Sequence, residues 1–334
     1  MKAVGYTKSL PIGAAGALVD LELPDPTPGP RDLLVEVRAV SVNPVDYKVR
    51  LRADPQGVPK VLGFDASGVV RAAGPEVTLF RPGDAVFYAG DISRPGTNAE
   101  LHLVDERIVG PKPKTLSFAE AAALPLTAIT AWEALFDRLG VPRDRPGTLL
   151  VIGGAGGVGS IAVQLGRELT RLAVVATASR AETVAWVKSL GAHHVVDHRG
   201  DLVAQVRALG VGDPGFVFST NHTDAHWPAI VALLAPQGRI ALIDDPEPID
   251  VRMIKRKAAS LHWEFMFTRP MNATPDMIEQ HRLLAEVARL VDAGRLRTTL
   301  AEHYGAINAA NLTRAHALLE SGRARGKIVL EGWS

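Results

Sequence analysis

The chain has 334 residues, 47% of them hydrophobic and 22% charged, with a formal net charge of +1 and no cysteine. That length favours two domains over a single core, and the balance is that of a soluble globular protein. It excludes disulfides, thiol catalysis and cysteine-ligated zinc, and without a basic tract or an apolar run of membrane-spanning length neither nucleic acid nor a membrane is an expected partner.

Met1 to Tyr6 reads as a strand with no signal-peptide core, so a cytoplasmic protein is expected. From there to about residue 125 the pattern is strand and turn. Leu33–Val40, Gly68–Ala72, Asp84–Tyr88 and Glu100–Val104 are short runs divided by Pro28-Gly29-Pro30, Ala73-Gly74-Pro75 and Arg81-Pro82-Gly83-Asp84, the rhythm of a small β-barrel. Pro24, Pro26, Pro28 and Pro30 make an extended connector.

After about residue 126 strands and helices alternate. Strands are expected at 148–152, 173–178, 193–196, 215–219 and 238–243, with a sixth at 259–267, which is the pattern of a doubly wound parallel sheet. The first of them runs into Gly154-Ala155-Gly156-Gly157-Val158-Gly159, a G-x-G-x-x-G loop, and Val158, Ile161, Ala162, Leu165 and Leu169 then share one helical face. Gly154 suits the tight turn, Gly156 leaves room for a pyrophosphate, and Gly159 lets the helix pack on the sheet, with its first-turn N–H groups facing the anion. Such a loop alone is also consistent with a plain glycine-rich turn; the strand before it and the helix after it point to a dinucleotide site. About 20 residues on, where an NAD enzyme places an acid on the ribose, the chain has Ser179-Arg180. A guanidinium beside a hydroxyl suits a 2′-phosphate, so NADPH is the expected cofactor; otherwise Arg180 is a solvated first-turn residue.

His222 and His226 flank Asp224 at a spacing that suits either metal ligation or polar residues in a first helical turn, and no partner ligand is evident. Thr274-Pro275-Asp276 begins a helix that Gly294 stops, a second helix runs from about Asn308 to Glu320, and Lys327–Leu330 closes the chain as a strand.

Ser41-Val42-Asn43-Pro44-Val45-Asp46, Val61-Leu62-Gly63-Phe64-Asp65-Ala66-Ser67-Gly68-Val69-Val70, Phe80-Arg81-Pro82-Gly83-Asp84, Ala121-Ala122-Ala123-Leu124-Pro125, the glycine loop and Gly326-Lys327-Ile328-Val329-Leu330 together resemble the medium-chain dehydrogenase/reductase superfamily. More narrowly the chain resembles its quinone oxidoreductase branch, in the group labelled zinc-type alcohol dehydrogenase-like proteins, and the likeness spans essentially the whole chain. It implies an α/β protein with a GroES-like β-barrel catalytic domain over 1–125 and 268–334 and a Rossmann doubly wound NADPH-binding domain over 126–267. It further implies hydride transfer from NADPH to a quinone or an activated carbon–carbon double bond, and a homodimer formed through the sheet edge of the nucleotide domain. Within the resemblance Asn221 passes near the nicotinamide, Thr130 stands beside it, and Phe265 and Phe267 line the cofactor end of the site or serve as apolar core.

One departure from the pattern concerns metal. Zinc-dependent relatives carry a Cys three residues before an Asp, where this chain has Asn43 before Asp46, and their G-H-E triplet aligns with Gly63-Phe64-Asp65. Phenylalanine cannot coordinate zinc and an amide is a poor substitute for a thiolate, so no metal is expected and the oxygen of the substrate must be met by hydrogen bonds. Asn43 is the first candidate donor, or else a turn residue before Pro44. Tyr47 and Tyr88 either donate or shape the wall by packing, and Thr130 otherwise bonds its own helix backbone. No motif places a proton donor, which leaves water, while Asp46 and Asp65 are expected to hold loops. Two other readings stay open: a zinc-type alcohol dehydrogenase with non-standard ligands, and an NADPH-binding protein without catalysis.

Overall fold

In the computed structural model, which describes residues 1–334, the short runs of the N-terminal part pair into antiparallel sheet. In chain order they are β1 (Lys2–Tyr6), β2 (Val19–Glu22), β3 (Asp32–Ser41), helix α1 (Pro44–Arg52), β4 (Lys60–Val61), β5 (Ala66–Ala73), β6 (Ala85–Tyr88), β7 (Leu101–Asp105) and β8 (Val109–Pro111). β3 is the backbone of this part. It pairs with β5 and β7, and Leu33, Val35 and Val37 alternate inward along it. Register shifts between Leu34 and Val35 and between Val37 and Ala39 are bulges, which add the twist that curls a sheet over its core. Leu33, Val35, Val86, Ile328 and Leu330 are buried in that core, each such side chain contributing roughly 1.5–3 kcal/mol.

Helices α2 (Phe118–Ala122), opened by a Ser117/Glu120 capping box, and α3 (Pro125–Trp132) lead into the second part, and α3 passes into a π-helical stretch at Glu133–Arg138. There follow β9 (Pro146–Ile152), α4 (Gly157–Leu169), β10 (Arg171–Thr177), α5 (Ala181–Ser189), β11 (His194–Val196), α6 (Leu202–Ala208), β12 (Phe216–Ser219), α7 (Thr223–Leu233), β13 (Arg239–Leu242) and β14 (Ser260–Trp263). Every pair in this sheet is parallel, and the order β11-β10-β9-β12-β13-β14 is that of a doubly wound fold with its reversal between β9 and β12. Its apolar runs place Leu150, Ile152, Val175, Val217, Ile240 and Leu242 in one core. The sixth strand is shorter than the 259–267 expected, because its partner β13 ends at Leu242, opposite Trp263.

The chain then returns through α8 (Thr268–Met271), α9 (Glu279–Asp292), β15 (Leu300–His303), α10 (Ala309–Glu320) and β16 (Lys327–Glu331), and β16 pairs with β3. α9 starts later than Thr274-Pro275-Asp276 suggests. Thr274 N–H bonds the Arg269 carbonyl and Asp276 pairs with the Arg269 guanidinium, which holds that segment back on α8. The chain divides into two units, Met1–Leu126 with Phe267–Ser334 and Thr127–Met266, where the sequence suggested changes at 125/126 and 267/268. No helix is long and apolar enough to cross a membrane.

Candidate cofactor and substrate sites

The glycine loop leaves the C-terminal end of β9 and opens α4, whose N-cap Gly156 brings no side chain to the exposed N–H groups. The left-handed turn falls on Gly153, at φ +79°, rather than on Gly154 as the motif suggests. Gly154 is needed for a different reason: a Cβ there would stand 2.8 Å from the Ala176 Cβ. A Cβ at Gly159 would lie 2.2 Å from the Gly153 carbonyl oxygen, so this residue lets helix and strand touch. Gly156 is unlike both. Its φ of −70° is open to any residue, and the nearest atom to a Cβ would be 3.6 Å away. Nothing inside the protein demands glycine at that place, which fits a ligand approaching from outside. Ala155, Gly157 and Val158 complete the loop and the first turn of α4.

Ser179 and Arg180 follow β10. Arg180 is the N-cap residue of α5, and its guanidinium lies 3.2 Å from the Glu182 carboxylate. Asn221 follows β12 and is exposed, while Thr130 is buried in α3. Phe265 lies beyond the end of β14 and is 48% exposed. Phe267 belongs to the other unit, where it packs edge-on against Phe64 at 5.3 Å.

In the barrel unit the sequence candidates converge on a buried ionic cluster that the sequence did not announce. Asp65, fully buried, accepts hydrogen bonds at Oδ2 from Ser41 Oγ (2.9 Å), Asn43 Nδ2 (2.8 Å) and Lys327 Nζ (3.0 Å), and at Oδ1 from the Leu126 N–H (2.8 Å). The Lys327 ammonium also donates to the Val42 carbonyl and to Asn43 Oδ1. Asn43 in turn gives its backbone N–H to Asp46 Oδ2 at 2.7 Å. The other Asp46 oxygen is buried without a partner, and burial pushes this carboxyl up to about 7. Asp46 and Asp65 therefore hold this loop, as their turn chemistry suggests. The cluster also bears on metal. An amide oxygen, a carboxylate and a carbonyl already surround an ammonium, position 64 offers a phenyl ring, and no three His, Asp or Glu side chains group to hold an ion. This donor set does not fit zinc.

Tyr88 is fully buried, and its hydroxyl meets His102 Nδ1 at 3.2 Å while His102 Nε2 meets the Pro95 carbonyl at 3.0 Å. The carbonyl can only accept, so the ring carries its proton on Nε2 and Nδ1 takes the Tyr88 proton. Burial lowers His102 to about 4 and keeps that arrangement neutral. Tyr88 thus spends its proton inside the barrel, on a histidine, and is not placed to give it to a substrate. Tyr47, in α1, is half-buried.

Comparison with known proteins gives two family matches, the second of which runs across the boundary at Met266/Phe267. Residues 29–127 match the alcohol dehydrogenase GroES-like domain and residues 190–330 the zinc-binding dehydrogenase family. A zinc-type alcohol dehydrogenase-like protein of Staphylococcus aureus strain COL is 41% identical over 99% of both chains. A 2-methylene-furan-3-one reductase of Solanum lycopersicum is 37% identical over 59% of this chain and 52% of its own. Among solved structures, a protein of Rhizobium etli CFN 42 assigned as a zinc-dependent alcohol dehydrogenase superposes with a TM-score of 0.96 at 65% identity, covering 100% of this chain and 98% of its own. The quinone oxidoreductase of Coxiella burnetii gives 0.80 at 27% identity over 99% of both chains. A mycobacterial protein complexed with NADPH gives 0.84 at 27% identity, again over 99% of both.

Proposed function

Since the chain belongs to the medium-chain dehydrogenase/reductase superfamily, in its zinc-type alcohol dehydrogenase-like group, and is on that ground an oxidoreductase, we propose that it reduces quinones or α,β-unsaturated carbonyls with NADPH and without zinc. The observation that carries this reading is the Lys327 ammonium seated among Asn43, Val42 and Asp65, where a metal-dependent enzyme needs soft or imidazole ligands. A carbonyl reduced to an alcohol builds localised alkoxide charge, which calls for a Lewis acid or a proton donor. A quinone or enone spreads the charge through a conjugated system, and a few donors suffice.

When bound, NADPH would supply a hydride. The N–H groups of Gly157, Val158 and Gly159 at the start of α4 would hold its pyrophosphate, with Gly154, Ala155 and Gly156 leaving the approach open, and Ser179 and Arg180 would hold the 2′-phosphate. Asn221 and Thr130 serve the nicotinamide end. Asn43 is polarised by the cation on its carbonyl oxygen, which strengthens its remaining Nδ2–H as a donor to the substrate oxygen. Tyr47 shapes the wall, and water returns the proton. The quinone oxidoreductase and furanone reductase relatives and the NADPH-bound neighbour support the same chemistry. For assembly we assign a homodimer to the open edge of the parallel sheet, where β14 has one neighbour and Trp263 is 55% exposed.

The test is NADPH oxidation over a panel of quinones, enones, saturated aldehydes and ketones, with and without chelator, beside elemental analysis. Quinone or enone turnover is expected to persist under chelation, with saturated aldehydes at least about 100-fold poorer in kcat/KM. About one zinc per chain, with activity lost on chelation and restored by zinc, would overturn the reading.

A further inference from the structure

β10 and β11 are adjacent parallel strands, with Ala176 opposite Val195 and Thr177 opposite Val196, so the segments that leave them emerge side by side. One is Ser179-Arg180 and the other Asp197-His198-Arg199. A main-chain bond from Ala178 N–H to the Val196 carbonyl, 3.0 Å, fixes their spacing. Arg199 bridges them: its Nη2 donates to the Ser179 carbonyl at 2.7 Å and to Asp197 Oδ2 at 2.7 Å, and its Nε donates to Asp197 Oδ1 at 3.1 Å. The guanidinium is therefore anchored against Ser179 through one edge, and it is 63% exposed beside an Asp197 that is 40% exposed. Ser179 and two arginines thus follow neighbouring strand ends at one corner of the sheet, each arginine paired with a carboxylate, Arg180 with Glu182 and Arg199 with Asp197.

We propose that Arg199 is a second cation for the phosphate on the adenosine ribose, and that Asp197, by competing for it, sets how strongly the phosphorylated cofactor is preferred. The inference rests on the reading of Ser179 and Arg180 as the 2′-phosphate site and deepens it. A phosphate monoester at that corner is attracted by Arg199 and repelled by Asp197, whereas a ribose with a free hydroxyl feels little of either. The two residues, though bonded to each other, then act with opposite sign. Removing the arginine takes away a cation and leaves the carboxylate facing the phosphate. Removing the charge of the aspartate releases the arginine. An ion pair that only braced the loop would give the same sign for both.

The experiment measures Kd for NADPH and NADH in the full-length protein, wild type and Arg180→Ala, Arg199→Ala and Asp197→Asn, with competition by 2′-AMP and 5′-AMP. NADH binding doubles as the check that each variant is folded. Arg199→Ala is expected to weaken NADPH about 10-fold, and 2′-AMP with it, leaving NADH and 5′-AMP within about 2-fold. Asp197→Asn is expected to tighten NADPH about 2- to 5-fold. If Asp197→Asn weakens NADPH as Arg199→Ala does, or if neither moves the ratio of NADPH to NADH while Arg180→Ala collapses it, the inference about Arg199 is overturned and the NADPH reading stands. If the wild type binds both cofactors equally and no variant separates them, the NADPH reading itself is lost, and the inference with it.

Discussion

His316, in α10, is fully buried, and neither ring nitrogen has a hydrogen-bond partner. Burial lowers it to about 3, with the nearby Arg50 acting in the same direction. A group held neutral in this way contributes stability that is present above its ordinary value of 6.5 and is lost as pH falls toward about 3, since the unfolded chain takes up the proton first. His316→Leu removes both the unpaired polar atoms and this acid liability. It is expected to stabilise the fold by about 1–3 kcal/mol at neutral pH, with the gain larger by about 2 kcal/mol at about pH 5, read from urea midpoints at the two pH values. A loss of stability at both would show that the ring is packed better than its polarity suggests. The same scale shows what a sequence can and cannot declare. Asn43 and Phe64 stand out because each breaks a local motif. Lys327 does not, although it is the cation that closes the cluster, because its partners Asn43 and Asp65 lie hundreds of positions earlier and only the pairing of β16 with β3 brings them together.

At the scale of elements, the π-helical stretch Glu133–Arg138 faces the end of β14, where buried Glu264 accepts a hydrogen bond from Arg138 Nε at 2.9 Å. Glu133 is buried beside it, and burial followed by the charge of Glu133 drives the Glu264 carboxyl well above the carboxylate range. The folded protein keeps this proton where the unfolded chain has released it. Stability from this source is full below about 4.5 and falls as pH rises toward the raised folded value, by up to about 1.4 kcal/mol per unit. Glu264→Gln keeps the acceptor for Arg138 and removes the titration. Its unfolding free energy is expected to be flatter than that of the wild type between about pH 5 and 8, and an unchanged slope in urea titrations would rule the pair out as the cause. The run Ser-Leu-His-Trp-Glu-Phe-Met-Phe at 260–267 is rich in strand formers, which explains why it reads as one long strand. Composition cannot show that the neighbouring strand stops, nor that Glu264 turns inward to a carboxyl partner more than a hundred residues away.

At the scale of the whole molecule, the strand and helix alternation of the parallel sheet and the glycine loop after its first strand were legible, because each has a local signature in sequence, whereas the return of the chain to the barrel was implied only by the family resemblance. The detail at the two points where the chain passes from one unit to the other was not legible. They fall at Leu126/Thr127 and Met266/Phe267, and in the barrel unit neighbouring residues hold both: Asp65 receives the Leu126 N–H, and the Phe64 ring meets Phe267. The positions that would serve a metal have therefore taken on the work of fastening the chain, and the two duties exclude each other. A route to zinc is blocked at both ends. Asn43→Cys with Phe64→His would restore two ligand types, yet it would strip the ring from Phe267 and set the incoming ion against the Lys327 ammonium. The double variant is expected to lose about 3–5 kcal/mol of stability and to take up no stoichiometric zinc, measured by thermal melting and equilibrium dialysis. Tight zinc uptake with the melting temperature preserved would mean that the lysine yields readily. Otherwise the substitutions are costly in either order: because an internal cation and an anchor of the chain already occupy those places, each single step toward a zinc site loses stability before any metal could repay it.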